Sequence, residues 1–292
     1  MSKQRLLIAY AHPDDESFGL GAVIAYYVER GVEVSLICAT NGDRGTVNPE
    51  MLNGYDSVAA LRLAELDCAA KTLGLAHVYT FGYRDSGMMG SPTCSDPECL
   101  WQAPVDAVTR RVVEVIREIK PHVVITFNRY GGYGHPDHIA IQRATAGAFT
   151  LASDAHYNTG QTPYAPQKLY YSSIPKRQLQ LGITMMRLRG HDPRRLGKNR
   201  DIDLVAILEN AEPVHTLVDV RHYHRAWEEA NSCHKSQLGG APSWRLPMSL
   251  RRWFTPTQGF TRIYPEPRTN RVDERDLFAG VQVDESLSSA AD

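Results

Sequence analysis

The sequence predicts an α/β fold, a Rossmann-like parallel sheet flanked by helices, with a smaller C-terminal α+β extension. Three observations predict it. Apolar runs of strand length alternate with longer stretches of helical period as far as Ala155. The connections entering the strands, Arg30-Gly31, Leu73-Gly74-Leu75 and Lys120-Pro121, are short and carry no cluster of chemistry. The connections leaving them carry Asp14, Asp15, Asp43, Arg44, Asp85, His135, Asp137 and His138. Open α/β sheets bind ligands beyond the carboxyl ends of their strands, so this one-sided segregation marks the edge where a site belongs.

Taken in order, Arg5–Ala11 reads as a buried strand and Ser17–Arg30 as a helix. Leu20, Val23, Ile24, Tyr27 and Val28 share its apolar face, and Gly31 stops it. Val32–Ala39 is a second strand, and Tyr55–Leu73 is helical by period and ended by Gly74. His77–Phe81 is a third strand, followed by the Tyr83–Met89 loop and a Pro- and Cys-containing excursion to Trp101. Val105–Ile119 is a helix, His122–Phe127 a fourth strand and His138–Leu151 another helix, with Pro136 suited to a first helical position. Strands joined through helices in this way run parallel with right-handed crossovers.

Beyond Ala155 the pattern changes. Tyr157–Gln167 reads as a connection, Lys168–Ser172 as a fifth strand and Gln178–Arg189 as a helix in which Met185 and Met186 fill core. Val214–Val220 alternates like a strand, and His222–Gln237 reads as a helix. Trp244–Phe260 and the residues beyond it are aromatic and proline-rich, reading as a lid or subunit contact and leaving a homo-oligomer open. The tail from about residue 284 reads as disordered. The division expected is a core over residues 1–155 and an extension over 156–292 that completes the sheet and the substrate pocket.

Composition narrows the function classes. Lys and Arg total 32 against 33 acids, a net charge of −1, which argues against nucleic acid as a partner. The cluster Arg187, Arg189, Arg194, Arg195, Lys198 and Arg200 reads as a solvated face. No apolar stretch reaches the ~18 residues of a membrane span, and the N-terminus has no signal-peptide pattern, so a cytoplasmic location is expected. Cys38 and Cys68 read as small core hydrophobes, while Cys94 and Cys99 bracket a turn-rich loop with a spacing unlike a zinc knuckle.

Two segments concentrate the chemistry. Ala11-His12-Pro13-Asp14-Asp15-Glu16 follows the first strand, and clustered carboxylates resist burial unless a cation sits among them. His12 and Asp15 lie three apart across a strand-to-helix turn and can converge on one ion, with donors that suit zinc but also iron(II) or manganese. Asn128 to His138 follows the fourth strand, with His135 and His138 flanking Pro136-Asp137. His12, Asp15 and His138 make a three-ligand set with one position left for water, whose pKa a bound metal would bring to about 7. Asp14 is the candidate general base, and its competing role is a helix cap. His135 is the candidate acid or oxyanion donor, with Asp137 raising its pKa and fixing its tautomer. Glu16 is a candidate to orient His12. Asp43, with Arg44, reads equally as a sugar contact and as a turn stabilised by Asp and Gly. A single-metal count disfavours a phosphoesterase, and H-P-D-D-E-S-F-G in place of G-x-G-x-x-G disfavours a dinucleotide enzyme.

The combination of H-P-D-D-E after the first strand with G-H-P-D-H near the middle resembles the LmbE/PIG-L family of zinc-dependent de-N-acetylases, over about Leu6 to Ala155. Within it the chain is similar to the branch acting on glucosaminyl-inositol and thiol-conjugate substrates. Tyr83-Arg84-Asp85-Ser86-Gly87-Met88 is a further family-like segment, and His234-Lys235-Ser236-Gln237 resembles a C-terminal family feature. The resemblance implies zinc at His12, Asp15 and His138, Asp14 as general base, and Tyr133 turned toward the carbonyl oxygen. It also implies substrate contacts at Arg62 and Asp85. The expected activity is removal of an N-acyl group, acetyl first, from an amino sugar or glucosaminyl conjugate. The alternatives are an amidase of a thiol-glycoside conjugate and a non-catalytic, metal-dependent sugar-binding protein.

Overall fold

In the computed structural model, which describes residues 3–197, 199–238 and 256–283, the chain opens with β1 (Arg5–Tyr10), α1 (Asp15–Glu29), β2 (Glu33–Thr40), α2 (Val58–Leu73) and β3 (His77–Tyr83). It continues through α3 (Val105–Ile119), β4 (Val123–Thr126), the one-turn α4 (Gly131–Gly134), α5 (Pro136–Leu151) and β5 (Lys168–Ser173). The C-terminal part supplies α6 (Lys176–Leu188), α7 (Leu204–Glu209), β6 (Thr216–Asp219), α8 (His224–Asn231) and β7 (Thr257–Tyr264). The seven strands form one sheet in the order β3-β2-β1-β4-β5-β7-β6. α3 packs on α5, and α1 packs with α2 and α8. Leu6, Leu7, Ile8 and Ala9 of β1 are completely buried at the centre.

The strand order explains why distant segments meet. From β1 the chain steps outward through β2 to β3, then returns to lay β4 on the other side of β1. That reversal is a topological switch point, where loops diverge and leave a crevice. β1 and β4 pair in parallel, Leu6 opposite Val123 and Ala9 opposite Thr126, so both end at the same level of the same edge. The His12–Glu16 segment and the Asn128–His138 segment leave from these adjacent ends.

The expected parallel sheet spans β3-β2-β1-β4-β5, and the C-terminal extension completes it with β7, which runs antiparallel between β5 and β6. β7 is the strand the sequence concealed inside the proline-rich stretch. Its interior holds Thr261 and Arg262, buried polar residues that break the hydrophobic alternation and are satisfied locally. Thr261 shares a hydrogen bond with the Ser173 hydroxyl, and Arg262 forks onto Asp273. Helix α2 begins at Val58, where the Ser57 hydroxyl caps the Ala60 N–H, three residues later than its periodicity suggests. The expected helix His222–Gln237 is a shorter α8 followed by turns. Cys68 is not a core hydrophobe: it lies exposed on α2 and is disulfide-bonded to Cys233. Cys94 and Cys99 are free and buried. The tail from residue 284, and residues 244–255 of the expected lid, lie outside the described residues. No described helix is long and apolar enough to cross a membrane.

Candidate active site and metal centre

A cavity of about 910 Å³ opens at the switch point, the large end of the range for small-molecule sites. His12, Asp14, Asp15, Arg62, Asp85, Tyr133, His135 and His138 line it; Glu16, Asp43 and Asp137 do not. His12 Nδ1 lies 3.1 Å from His138 Nε2, and the two nitrogens stand 3.3 Å from Asp15 Oδ2 and Oδ1 respectively. Donors bound at ~2.0–2.1 Å in a tetrahedron would be about 3.3 Å apart, a spacing close to that between the two histidine nitrogens and between each of them and a different oxygen of the Asp15 carboxylate.

The tautomers agree with that fit. His138 Nδ1 is 3.1 Å from the Gly131 carbonyl, which can only accept, so the proton sits on Nδ1 and the Nε2 lone pair faces the other donors. Phe127 stacks on the His138 ring at 3.8 Å between centroids, and Tyr10 stacks on Phe127 at 4.1 Å. His12 Nε2 lies 3.1 Å from Asp137 Oδ2, leaving its Nδ1 to face inward. Burial opposes the charged forms, but Asp85, Asp137 and Asp15 raise the His12 pKa well above 6.5. Burial likewise opposes ionised Asp15, yet His138 and His12 hold its carboxyl well below the usual range. Groups that crowd a proton onto His12 would favour a cation in its place. His135 brings a ring nitrogen within 4.8 Å of the other two histidines, and His12, Asp85, His135 and Asp137 form a second such group. A site formed by His12 Nδ1, Asp15 and His138 Nε2 leaves His12 Nε2 to Asp137.

Asp14 sits just before α1 with φ 131°, a conformation rare for an L residue. Its Oδ2 accepts from Arg62 Nη2 at 2.9 Å. Burial raises its pKa to about 6 against the lowering effect of Arg62, which suits a group that must take and return a proton near neutrality. His135 caps α5, its Nδ1 accepting from the Asp137 N–H at 3.2 Å. Burial, with His12 and His138 nearby, pushes its pKa down to about 2, so His135 is neutral and carries its proton on Nε2. Tyr133 sets its ring edge-on to His138 at 5.0 Å, and burial keeps its phenol protonated.

Several expected roles change. The His135 pKa is lowered where a rise was expected: the Asp137 carboxylate stands 4.0 Å from His135 Nδ1 but 3.1 Å from His12 Nε2, and it accepts from the Ser86 N–H at 2.9 Å and from the Ser86 hydroxyl. Glu16 does not reach His12; it accepts from the Asp14 N–H at 3.0 Å and from His234 at 2.7 Å. Arg62, expected as a substrate contact, lines the cavity and also donates to Pro13 O at 2.6 Å and Gly42 O at 3.0 Å besides Asp14, its Nε making no hydrogen bond among the described residues. Gly42, at φ +64°, leaves no room for a Cβ against that guanidinium. Asp43 accepts from the Asp85 N–H at 2.8 Å and from Arg84, so it shapes the loop that presents Asp85. Asp85, held well below the usual carboxylate range by His12 despite its burial, stays in the cavity wall. The residues not singled out are Ser86, Glu65 and the role of His234. Ser86 and His234 lie in the two weaker family-like segments, whereas Glu65 reads as any helical surface acid.

Residues 7–149 match the family described as PIG-L, GlcNAc-PI de-N-acetylase. The chain is 34% identical to the 1D-myo-inositol 2-acetamido-2-deoxy-alpha-D-glucopyranoside deacetylase of Thermobifida fusca, over 96% of this chain and 100% of that protein. It is 36% identical to the protein of the same name from Thermomonospora curvata, over 80% and 81%. Among solved structures, the N,N'-diacetylchitobiose deacetylase from Pyrococcus horikoshii shares the fold with a TM-score of 0.62 at 18% identity, covering 91% of this chain and 88% of that one. The conserved protein TT1542 from Thermus thermophilus does so with a TM-score of 0.59 at 19% identity, covering 92% and 98%.

Proposed function

The chain belongs to the PIG-L family of de-N-acetylases, and from that premise we propose that it removes the N-acetyl group from a glucosaminyl-inositol or related N-acetylated amino sugar. The observation that carries the reading is the convergence of His12, Asp15 and His138 on the floor of a cavity whose wall holds Asp14. A divalent cation held by those three, zinc first and iron(II) second, supplies Lewis acidity that polarises a carbonyl and acidifies water.

The protein's own groups do the rest. Asp14, held by Arg62 at the cavity wall, takes the proton of the attacking water and returns it to the departing amine. His135, neutral with Nε2–H, and the protonated Tyr133 phenol are the donors available to the carbonyl oxygen as charge develops on it. Asp137 and Ser86 keep His12 in one tautomer and orientation. Within this reading the substrate is a small molecule and the enzyme works in the cytoplasm. The cavity's outer wall adds Phe18, Ile174, Leu179 and Trp227, an apolar surface that favours a conjugate bearing a less polar group beyond the sugar as a second substrate class.

The test is amine release from N-acetylglucosaminyl-inositol, simple N-acetylated sugars and a thioether conjugate, using metal-stripped protein and protein restored with zinc, iron(II) or manganese. Restored protein should release amine from the glucosaminyl substrates and stripped protein should not. Sugar binding without amine release under any metal would leave the binding-protein reading in its place.

A further inference from the structure

Asp14 holds its strained backbone because it is tied on three sides. Its carbonyl accepts from the Ser17 and Phe18 N–H groups at 3.1 and 2.8 Å, as α1 begins. Its own N–H donates to Glu16 Oε2 at 3.0 Å, and its carboxylate accepts from Arg62. The second and third ties both lead to one distant segment. Glu16 Oε1 accepts from His234 Nε2 at 2.7 Å, and both residues are completely buried. Arg62 shares α2 with Glu65, one turn on, whose two oxygens accept from the Ser236 N–H at 2.7 Å and the Ser236 hydroxyl at 2.6 Å. Cys233, directly before His234, is covalently joined to Cys68 on that same helix.

From this geometry we infer that His234, supported by Ser236, is a positioning residue for Asp14. His234, together with the Ser17 hydroxyl at 2.6 Å, fixes the Glu16 carboxylate, Glu16 fixes the Asp14 peptide, and Ser236 anchors the helix whose arginine fixes the Asp14 carboxylate. The C-terminal segment thereby sets the aim of a group that the N-terminal motif only supplies. His234 does not act on the substrate itself. The inference rests on Asp14 being the base, so its test separates the two.

Four variants decide it: Asp14→Asn, His234→Ala, the two combined, and His234→Gln. Misaiming a reacting group by ~1 Å costs on the order of 10²-fold, so His234→Ala should lower kcat by about 10- to 10²-fold with KM and metal content held within about twofold. His234→Gln keeps a donor for Glu16 and should recover most of that loss. In the Asp14→Asn background, removing His234 should cost less than about twofold more, because a residue acting only through Asp14 has nothing left to aim. A merely structural role gives multiplying losses and a drop in metal content, and either result overturns the inference, as does a His234→Ala enzyme with parental kcat. Near-parental turnover by Asp14→Asn itself would refute the base assignment first and the inference with it. Should His234→Ala fail to fold, Ser236→Ala, which loses the hydroxyl bond to Glu65, is held to the same non-additivity.

Discussion

The two walls of the cavity are built on opposite plans. On the wall that holds Asp14, charged groups lock one another: Arg62 binds Asp14, His234 binds Glu16, and Glu65 binds Ser236. On the facing wall, Tyr133 rides on α4, where Gly131, Gly132 and Gly134 have φ of 71°, 70° and 89°. Those glycines let the chain turn sharply before α5, and Gly131 also supplies the carbonyl that sets the His138 tautomer. The contrast teaches that one wall aims its base through side-chain hydrogen bonds, whereas the other places its donor through a glycine turn whose backbone is held by Asn128 and His138.

His138 stands where the walls meet, and its loss should have the largest effect. His138→Ala removes one of three closely spaced donors, so metal affinity should fall by at least 10²-fold, by analogy with the 10–100-fold cost of losing only an outer partner. Metal analysis after dialysis checks this, with turnover falling in parallel. Unchanged metal content would move the ion to the His12, Asp85, His135 and Asp137 group and dissolve the two-wall description.

Tyr133→Phe tests the glycine-turn wall alone. If the phenol donates to the developing oxyanion, kcat should fall by about 10²-fold with little change in KM, the scale for one lost donor. A loss below about threefold would make Tyr133 a packing residue and leave His135 as sole donor on that side.

The legible part of this site was its first layer. His12 and His138 were readable because an imidazole beside clustered acids at a strand end has few physical resolutions, and β1–β4 pairing then brings the two motifs together. The second layer was opaque for a physical reason. Glu65 looks in sequence like a charge on a solvated helix, and only the fold shows it buried beside Arg62 on the same helix. Glu16 and His234 are 218 residues apart, and no periodicity encodes such a bond. β7 was hidden because its buried Thr261 and Arg262 are paired with polar partners, which erases the apolar signature of a central strand.

Arg62→Gln probes the locked wall through pH. Arg62 lowers the Asp14 pKa, opposing the burial that raises it to about 6. Asp14 accepts a proton only when ionised, so kcat/KM should fall as pH drops through its pKa. A bound cation would move that acidic limb below 6. Without the guanidinium the limb should move up by about one unit, the scale of a single neighbouring charge. A limb that stays in place means that another group titrates there.

The smallest expected effect on turnover belongs to Cys68→Ser combined with Cys233→Ser. The disulfide closes a separation of 165 residues and stiffens the unfolded chain more than the folded one, so its loss should cost about 2–4 kcal/mol in denaturant melts. The locked wall has its own hydrogen bonds, His234 to Glu16 and Ser236 to Glu65, which the substitution leaves intact. If those bonds suffice to aim Asp14, kcat at 25 °C, well below the melting transition, should change by less than about twofold while stability falls. A kcat that drops tenfold under the same conditions, with metal content unchanged, would mean that the covalent tie itself holds His234 in register. The rigidity of this wall would then depend on oxidation of a partly exposed cysteine pair, the kind of disulfide that reductants reach.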